Sequence, residues 1–422
     1  MALYEIPYGD RTVSCAAEHV VFYAVPQRPE PLEDSDVLIE NALNAPIGAP
    51  PLETLIEPGK KIALVVDDIT RPTPRKQILQ HLSKKLDGIP GLDISLIIAL
   101  GTHRPMTEEE IETDLGEFSH KYPVVNISYL DLDRFVLAGN MPDGTNIMVY
   151  REIVEADVII GIGNIVPHIA AGWGGGAKII MPGVCSEETT NAIHNVSNTQ
   201  QDMLLTCGST DNLFRRTMED LAAKVGLSWI VNTVLDENGQ ILGVFAGDFI
   251  QAHRAGVSFA EKYLCPQIPE LADILIVSAN PANADFWQGA KPFIFAHRAV
   301  KRGGVMIFLL SAEEGICGCA PVHEKTIRKY YNESAETLHR VIAEGAEEDV
   351  LGVGEGFIRV QTKGFCTAFL ISEGISAEDA QLLGFEKMPT LESALEKACV
   401  LMGDDAAIGI IPHGGEILCR LA

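Results

Sequence analysis

The fold is decided by residues 62–72, which read IALVVDDITRP. A run of apolar residues ends abruptly in two aspartates and is soon followed by a proline, which is typical of a buried strand that leads into a loop. The same pattern returns at residues 94–105, ISLIIALGTHRP, and at residues 156–168, ADVIIGIGNIVPH. Buried strands that alternate with helical or glycine-rich stretches predict an α/β fold with a mostly parallel sheet.

Polar side chains follow each of these predicted strands. Asp68 and Arg71 follow the first strand, His103 the second and His168 the third. Taken alone, Arg71 is explained as part of a surface ion pair, and His103 and His168 are explained as loop histidines. However, the carboxyl ends of parallel strands meet at one edge of a sheet, where ligands bind in open α/β folds. The coincidence at equivalent positions therefore predicts a functional site at this edge.

A glycine-rich loop follows the third strand, with the sequence GWGGGAKIIMPG at residues 172–183. It lacks the Gly-Lys-Ser/Thr ending of a phosphate-binding P-loop, so we exclude an NTPase, and Val166 stands where a dinucleotide fingerprint needs its third glycine. Gly175 and Gly176 would still let the backbone approach a ligand closely. Desolvation would lower the pKa of Lys178 and make it an amine nucleophile; the alternative is a solvated lysine at a glycine turn.

A second α/β domain is predicted beyond the sequence CPQIP at residues 265–269, where two prolines end a helix. Strand-like runs then alternate again with helical stretches. The two domains are expected to enclose a cleft. The predicted divisions are an N-terminal domain at residues 1–266, a C-terminal domain at residues 267–406, and a terminal segment at residues 407–422 that returns to the first domain.

Helical stretches carry three further candidate residues. His194 ends a predicted helix that follows the glycine-rich loop, so together with Lys178 it could meet whatever Lys178 holds, although alone it is better explained as a packed or surface histidine. Gln288 and Lys291 follow the first predicted strand of the second domain. Their spacing of three residues puts both on one face of a helix. The sequence thus predicts that both domains supply polar groups to the cleft.

The composition argues against several classes of partner. The 422 residues include 32 Lys+Arg and 58 Asp+Glu, a net charge of −26, whereas nucleic acids and anionic membranes require clustered cations. No apolar run is long enough to cross a membrane and the start lacks a signal-like pattern, so we expect a cytoplasmic protein. The nine cysteines are expected to be reduced, buried thiols; Cys317, Cys319 and His323 could instead be three ligands of a metal site with no evident fourth.

The ordered set of motifs resembles the nickel-dependent lactate racemases and their relatives, which interconvert the stereoisomers of 2-hydroxy acids. The resemblance spans most of the chain. It runs through Asp68-x-Thr70-Arg71-Pro72, Gly101-Thr102-His103-Arg104, Gly163-Asn164-x3-His168, Gly174-Gly175-Gly176-Ala177-Lys178 with Pro182-Gly183, His194, and Gln288-x2-Lys291.

This resemblance implies a nickel-pincer nucleotide, which is pyridinium-3-thioamide-5-thiocarboxylic acid mononucleotide, with nickel held through sulfur, carbon and sulfur. It places the covalent attachment on Lys178, the histidine ligand of nickel at His194, and the cofactor-binding glycines at Gly175 and Gly176. It also implies two kinds of partner, a small anionic 2-hydroxy acid as substrate and the enzymes that synthesise and insert the cofactor.

The expected activity is inversion of C2 of the substrate by hydride transfer to and from this cofactor. Two histidines would act as general acid and base on opposite sides of the substrate, and cationic groups would hold its carboxylate. The implied roles are acid/base for His103 and His168, carboxylate binding for Arg71, contact with substrate oxygens for Lys291 and Gln288, and orientation of a catalytic histidine or of Arg71 for Asp68.

Two positions depart from the family pattern. Phe357 or Ile358 stands where members that act on lactate place a tryptophan, and Trp287 stands where a tyrosine is expected. A longer or bulkier 2-hydroxy acid is therefore as compatible with the sequence as lactate. Two other hypotheses stay open at this point, a non-catalytic module that binds a small acid or a nucleotide, and a zinc hydrolase that uses the histidines.

Overall fold

The computed structural model describes residues 2–200 and 202–422, and two six-stranded sheets form its framework. Short hairpins and bridges complete the β structure. The strands are β1 (Ala2–Tyr8), β2 (Arg11–Ala17), β3 (Val20–Tyr23), β4 (Lys61–Asp67), β5 (Asp93–Ala99), β6 (Val124–Val125), β7 (Phe135–Asn140), β8 (Asn146–Tyr150), β9 (Val158–Asn164), β10 (Pro167–His168), β11 (Gly172–Trp173), β12 (Leu227–Leu235), β13 (Ile241–Gly247), β14 (Gln267–Ile268), β15 (Ala272–Ser278), β16 (Val300–Leu309), β17 (Thr367–Ile371), β18 (Glu386–Lys387), β19 (Ile408–Ile411) and β20 (Arg420–Leu421).

Helices fill the connections between the strands. Within the described residues, none of them is long and apolar enough to cross a membrane. The helices are α1 (Ser35–Asn44), α2 (Leu52–Leu55), α3 (Arg75–Leu86), α4 (Glu108–Leu115), α5 (Phe118–Lys121), α6 (Arg151–Glu155), α7 (Glu187–Gln200), α8 (Met203–Thr206), α9 (Leu213–Val225), α10 (Gln251–Leu264), α11 (Phe286–Ala296), α12 (Glu324–Tyr330), α13 (Ala335–Ala343), α14 (Val350–Thr362), α15 (Ala377–Leu382) and α16 (Leu391–Met402), with 3₁₀ turns at Leu132–Arg134, Gly176–Ile179 and Pro321–His323.

The first sheet has the strand order β13-β12-β9-β4-β5-β6, and it is parallel except for the hairpin of β12 and β13. Its central strands are buried on both faces. In β4, Ile62 and Leu64 pack in one core cluster, whereas Ala63 and Val65 pack in another. The predicted strands are thereby confirmed, because a run of apolar residues without polar alternation fits a strand buried on both sides.

The second sheet is parallel throughout, with the order β18-β17-β16-β15-β19-β3. One face is covered by α11, and the other by α16 together with the hairpin of β1 and β2, where Ile6 and Tyr8 pack against Ile274 and Ile276. The α/β fold with mostly parallel sheets is therefore confirmed.

Strands from both terminal parts of the chain, β3 and β19, lie in this second sheet. We expected residues 407–422 to return to the first domain, but β19 pairs with β15 on one side and β3 on the other, so this prediction is wrong. Residues 2–23, which we had included in the N-terminal domain, also pack on the second sheet. An apolar run such as β19 shows that a strand is buried, but its sequence does not identify the partner strands. The boundary near residue 266 stays a prediction.

Three neighbouring strands of the first sheet, β9, β4 and β5, end side by side. The loops after their carboxyl ends carry the polar residues singled out in the sequence. The loop after β15 and the helix α11 bring polar residues of the second domain towards the same edge.

Candidate functional site

A single cavity joins the strand ends of the first domain to helices of the second. Most of the residues predicted from the sequence line it. The first domain contributes Asp68, Arg71, His103, His168, Gly175, Lys178 and His194, and the second contributes Trp287, Lys291, Glu355 and Ile358.

His103 is oriented by Asp68. The Nδ1 atom of His103 lies 2.6 Å from Asp68 Oδ2, while Asp68 Oδ1 accepts hydrogen bonds from the backbone N–H and the hydroxyl of Thr70. Burial alone would raise the pKa of Asp68, but His103 and the hydrogen bonds outweigh this and hold it below its usual range. An ionised Asp68 accepts the Nδ1 proton, so the neutral ring of His103 presents the lone pair of Nε2.

His168 is held in a different way. Its Nδ1 atom accepts hydrogen bonds from the backbone N–H groups of Ala170 and Ala171, at 3.3 and 3.2 Å. Burial, reinforced by the nearby cation Lys178, lowers the pKa of His168 well below its ordinary value. Since Nδ1 is an acceptor, the neutral ring carries its proton on Nε2. The two histidines therefore enter the cavity with opposite capacities, a lone pair from His103 and an N–H from His168.

Gln288 connects His103 to Lys291 across the domain boundary. Its amide Nε2 lies 3.4 Å from His103 Nε2, and its Oε1 accepts a hydrogen bond from the Lys291 ammonium. Gln288 itself faces a smaller pocket beside the main cavity, lined also by Asp68 and His103. Burial, with repulsion from Arg71, lowers the pKa of Lys291 well below its ordinary value. The second domain thus places an amide and an amine against the histidine of the first.

Lys178 stands at the end of the glycine-rich loop and faces the same cavity. Burial is the main reason that its pKa falls to about 7, and repulsion from Arg71 adds to the shift. A large fraction of the amine is then uncharged near neutral pH. An uncharged amine in an enclosed cavity is a nucleophile.

Gly175 and Gly176 stand where neighbouring protein atoms leave no room for a Cβ atom. Gly175 and Gly176 have φ angles of 75° and 61°, and their missing Cβ atoms would fall 2.7 Å from Asn232 Oδ1 and 2.9 Å from His253 Cγ. Gly176 donates a hydrogen bond to Asn232 Oδ1 at 2.7 Å and lies behind the cavity wall. Of the two glycines predicted to approach a ligand, Gly175 lines the cavity and Gly176 does not, so the approach of a ligand to Gly176 stays a prediction.

Arg215 on α9 fixes the loop from behind. Its fully buried guanidinium donates hydrogen bonds to the carbonyl oxygens of Ala171, Trp173 and Gly175. Burial lowers the pKa of Arg215 to about 10. A buried cation is tolerated when acceptors satisfy its N–H groups. The guanidinium of Arg215 therefore holds the carbonyl groups of the loop in place.

His194 on α7 has one ring nitrogen occupied and the other available. Its Nδ1 lies 2.9 Å from the carbonyl oxygen of Thr190, which leaves Nε2 for the cavity. Burial lowers the pKa of His194 to about 4, so the ring is neutral at physiological pH. A neutral imidazole whose second nitrogen is fixed by a carbonyl has the form of a metal-ligating histidine.

His323 joins the two domains and does not form a site with the nearby cysteines. Its Nε2 lies 2.9 Å from the hydroxyl of Thr102 in the first domain, and its Nδ1 lies 2.8 Å from Asp349 Oδ1 in the second. Cys317 Sγ donates to a backbone carbonyl oxygen, and Cys319 Sγ approaches Glu314. Both ring nitrogens of His323 are therefore engaged, which contradicts the three-ligand hypothesis. Across the described residues, no group of three His, Cys, Asp or Glu side chains is arranged to hold a metal.

The helix α14 forms one wall of the cavity, and it shows which of Phe357 and Ile358 stands there in place of a tryptophan. Ile358 lines the cavity, whereas Phe357 points into the core, where its ring contacts His339. Trp287 lines the cavity as well and stacks on His323 with ring centroids 4.6 Å apart. Glu355 was not predicted, although an acidic residue inside the apolar, glycine-rich sequence of α14 was a signal. Arg215 and Asp349 gave no signal of this kind.

Comparison with known proteins identifies relatives over the whole chain. Family models of the lactate racemase N-terminal domain and the lactate racemase C-terminal domain match residues 8–204 and 269–419. A lactate racemase of Lactiplantibacillus plantarum is 28% identical over 432 residues, and one of Thermoanaerobacterium thermosaccharolyticum is 26% identical over 436 residues; both alignments cover 100% of each chain.

Solved structures agree with these matches. The lactate racemase apoprotein from Thermoanaerobacterium thermosaccharolyticum superposes with a TM-score of 0.87 at 25% identity, covering 99% of this chain and 100% of that chain. A protein from Thermotoga maritima superposes with a TM-score of 0.72 at 19% identity, covering 94% and 100%, and shares the fold.

The reactivity of Lys178 should show its depressed pKa. When the protein without cofactor is treated with cyanate, a small reagent that modifies uncharged amines, carbamylation of Lys178 should rise with pH around a midpoint of about 7. Lys121, whose pKa is raised by its hydrogen bond to Asp87, serves as the control and should react only at much higher pH. Peptide mass spectrometry would follow both sites; identical pH profiles for the two lysines would contradict the assigned environment.

The contact between Thr102 and His323 should contribute to stability. Thr102→Val keeps the shape of the side chain but leaves Nε2 of the buried imidazole without its partner, which should cost about 1–3 kcal/mol of unfolding free energy. Thr102→Ser keeps the hydroxyl and should lose less. Urea denaturation would measure both variants, and a valine variant as stable as the unaltered protein would show that the contact contributes nothing.

Proposed function

Since this chain belongs to the lactate racemase family and is therefore an isomerase, we propose that it inverts C2 of a small 2-hydroxy acid with the help of a nickel-pincer nucleotide. The observation that carries the proposal is the convergence of an amine with a depressed pKa, Lys178, and an aspartate-oriented histidine, His103, on one cavity. A racemase requires both a place to hold its cofactor and a group that moves the hydroxyl proton.

The residues around Lys178 fit such a nucleotide. The uncharged amine of Lys178 can form a thioamide, and the open Nε2 of neutral His194 is a suitable ligand for square-planar nickel. Gly175 adds backbone without a side chain at the same wall. Lys178 would thus carry the covalent attachment and His194 would bind the metal. When bound, the nucleotide supplies a centre that accepts a hydride from C2 of the substrate and returns it.

Cations at both sides of the cavity would bind the substrate carboxylate. Arg71 lines the cavity from the first domain and Lys291 from the second. The guanidinium of Arg71 can hold a carboxylate through two parallel hydrogen bonds. An anion between these groups would also favour the charged form of Lys291, whose pKa is depressed by burial and by repulsion from Arg71. Substrate capture and protonation of Lys291 are therefore coupled.

The proton of the substrate hydroxyl would be moved by the histidines. His103 would accept it at Nε2, because Asp68 holds the Nδ1 proton and stabilises the imidazolium that forms. His168 would donate a hydrogen bond from its neutral Nε2–H to the same substrate oxygen and keep its proton. For His168 to accept a proton there, Nδ1 must become protonated and give up the hydrogen bonds from Ala170 and Ala171. The two histidines are thus proposed to be unequal partners.

Protein produced together with the cofactor-synthesis enzymes should carry a covalent mass increment on Lys178 and bound nickel. Intact and peptide mass spectrometry with nickel analysis would test this, and a chiral assay over a panel of 2-hydroxy acids would test turnover. Lys178→Arg should carry neither the increment nor activity. Racemisation by protein with an unmodified Lys178 would contradict the cofactor assignment, and binding without turnover by fully loaded protein would favour the non-catalytic module instead.

Replacement of the two histidines should have unequal effects. His103→Gln removes the proton acceptor, so the turnover number from either enantiomer should fall by about 10²- to 10⁴-fold. His168→Gln keeps an N–H donor in a similar position and should fall much less. Initial rates from each enantiomer, measured on protein with equal nickel content, would test this. Equal losses in the two variants would show that His168 moves the proton as His103 does.

A further inference from the structure

The helix α14 presents one residue to the cavity that the proposed reaction has not used. Glu355 lies there with Leu351 and Ile358, which are four residues before it and three after it and therefore share its face of the helix. The helix is fixed against α7, since the side chain of Asn191 bonds to the backbone N–H of Leu351 and to the carbonyl oxygen of Glu348. Glu355 is thus held at a defined place in the wall of the cavity.

One oxygen of the Glu355 carboxyl group is buried without a partner in the described part of the chain. The residue is only 9% exposed, and its Oε2 is buried without a hydrogen bond to any described group. Lys291, which lines the same cavity, forms no ion pair with Glu355 within 4 Å and donates instead to Gln288. Buried polar atoms are usually satisfied, and this one belongs to a residue that lines a cavity, where a ligand can supply the partner.

The protonation of this carboxyl defines what it can bind. Burial raises the pKa of Glu355 to about 8, against the opposing effect of Lys291. At neutral pH the group is then largely a carboxylic acid, which both donates and accepts a hydrogen bond. A hydroxyl group has the same two capacities and carries no charge. It is therefore the partner that satisfies Glu355 in either protonation state.

The other polar parts of the substrate already have partners. Under the proposed function, Arg71 and Lys291 hold the carboxylate, and the histidines hold the oxygen on C2. Glu355 must then meet a group farther along the carbon chain. The methyl group of lactate would leave its carboxyl unpaired, and a second carboxylate would be repelled whenever Glu355 is ionised.

We propose that Glu355 determines substrate specificity by hydrogen bonding to a hydroxyl group at C3 or beyond, so that the preferred substrates are 2-hydroxy acids with an additional hydroxyl. This inference rests on the proposed function. A site built to bond a hydroxyl discriminates strongly against an analogue that lacks it, because its own polar group is then left unpaired.

A matched pair of substrates tests the inference on cofactor-loaded protein. Lactate and 2,3-dihydroxypropanoate differ by one hydroxyl on C3, and a chiral assay gives kcat/KM for each. The dihydroxy acid should be preferred by at least about tenfold. Turnover of both acids without this preference would overturn the specificity assignment while leaving the racemase proposal intact. No turnover of any 2-hydroxy acid by fully loaded protein would overturn both.

Two variants at one position separate the hydrogen bond from the space that Glu355 fills. Glu355→Gln keeps a donor and an acceptor and should retain most of the preference. Glu355→Met is similar in length but cannot form the bond, so kcat/KM for the dihydroxy acid should fall more than that for lactate and the preference should collapse towards one. An equal loss on both acids in the methionine variant, or a lower content of nickel in either variant, would assign Glu355 to the cofactor or the fold and overturn the inference.

Discussion

Arg215 fixes the loop on which the arrangement of the cavity depends. A guanidinium without solvent has to be satisfied by the protein, and here the carbonyl oxygens of Ala171, Trp173 and Gly175 do so. The loop cannot shift without exposing that charge to an apolar interior. Lys178, which follows this loop directly, is consequently delivered into the cavity at a fixed position. The depressed pKa of its amine follows from this placement.

Basic side chains line the cavity, whereas the molecule as a whole has a negative net charge. The chain carries a net charge of −26, yet Arg71, Lys178 and Lys291 all face the cavity. Burial, and after it repulsion from Arg71, depresses the pKa values of both lysines. An anionic ligand relieves this repulsion, so the cavity favours anions at short range while the surface repels them at distances beyond the screening length.

The sequence predicted the parts of the site that depend on local pattern. Asp68, His103 and His168 follow buried parallel strands, and the position of a strand end in such a sheet fixes where the next side chains lie. The packing of Gly176 against His253 could not be predicted, because a glycine's need for space does not reveal whether a ligand or a protein atom occupies that space. Glu355 was missed for another reason: its role depends on the packing of α14 against α7.

The strand pairing of β19 was not predicted for the same reason, because it too depends on long-range packing. Its residues show burial on both faces, but the choice between two parallel sheets depends on long-range contacts that a run of isoleucines does not encode. The hydrogen bonds that run from Thr102 through His323 to Asp349 are also long-range, since they join three segments from two domains. Sequence motifs therefore located one wall of the cavity in detail and left the opposite wall largely undefined.

The membership of β3 and β19 in one sheet has a topological consequence. The chain passes through the second sheet at β3, leaves it to form the first sheet, and returns at β15, so the first sheet is inserted between strands of the second. Two stretches of chain therefore connect the sheets, one between β3 and β4 and the other between β13 and β15. A cut in either stretch alone would leave the two sheets joined by the other.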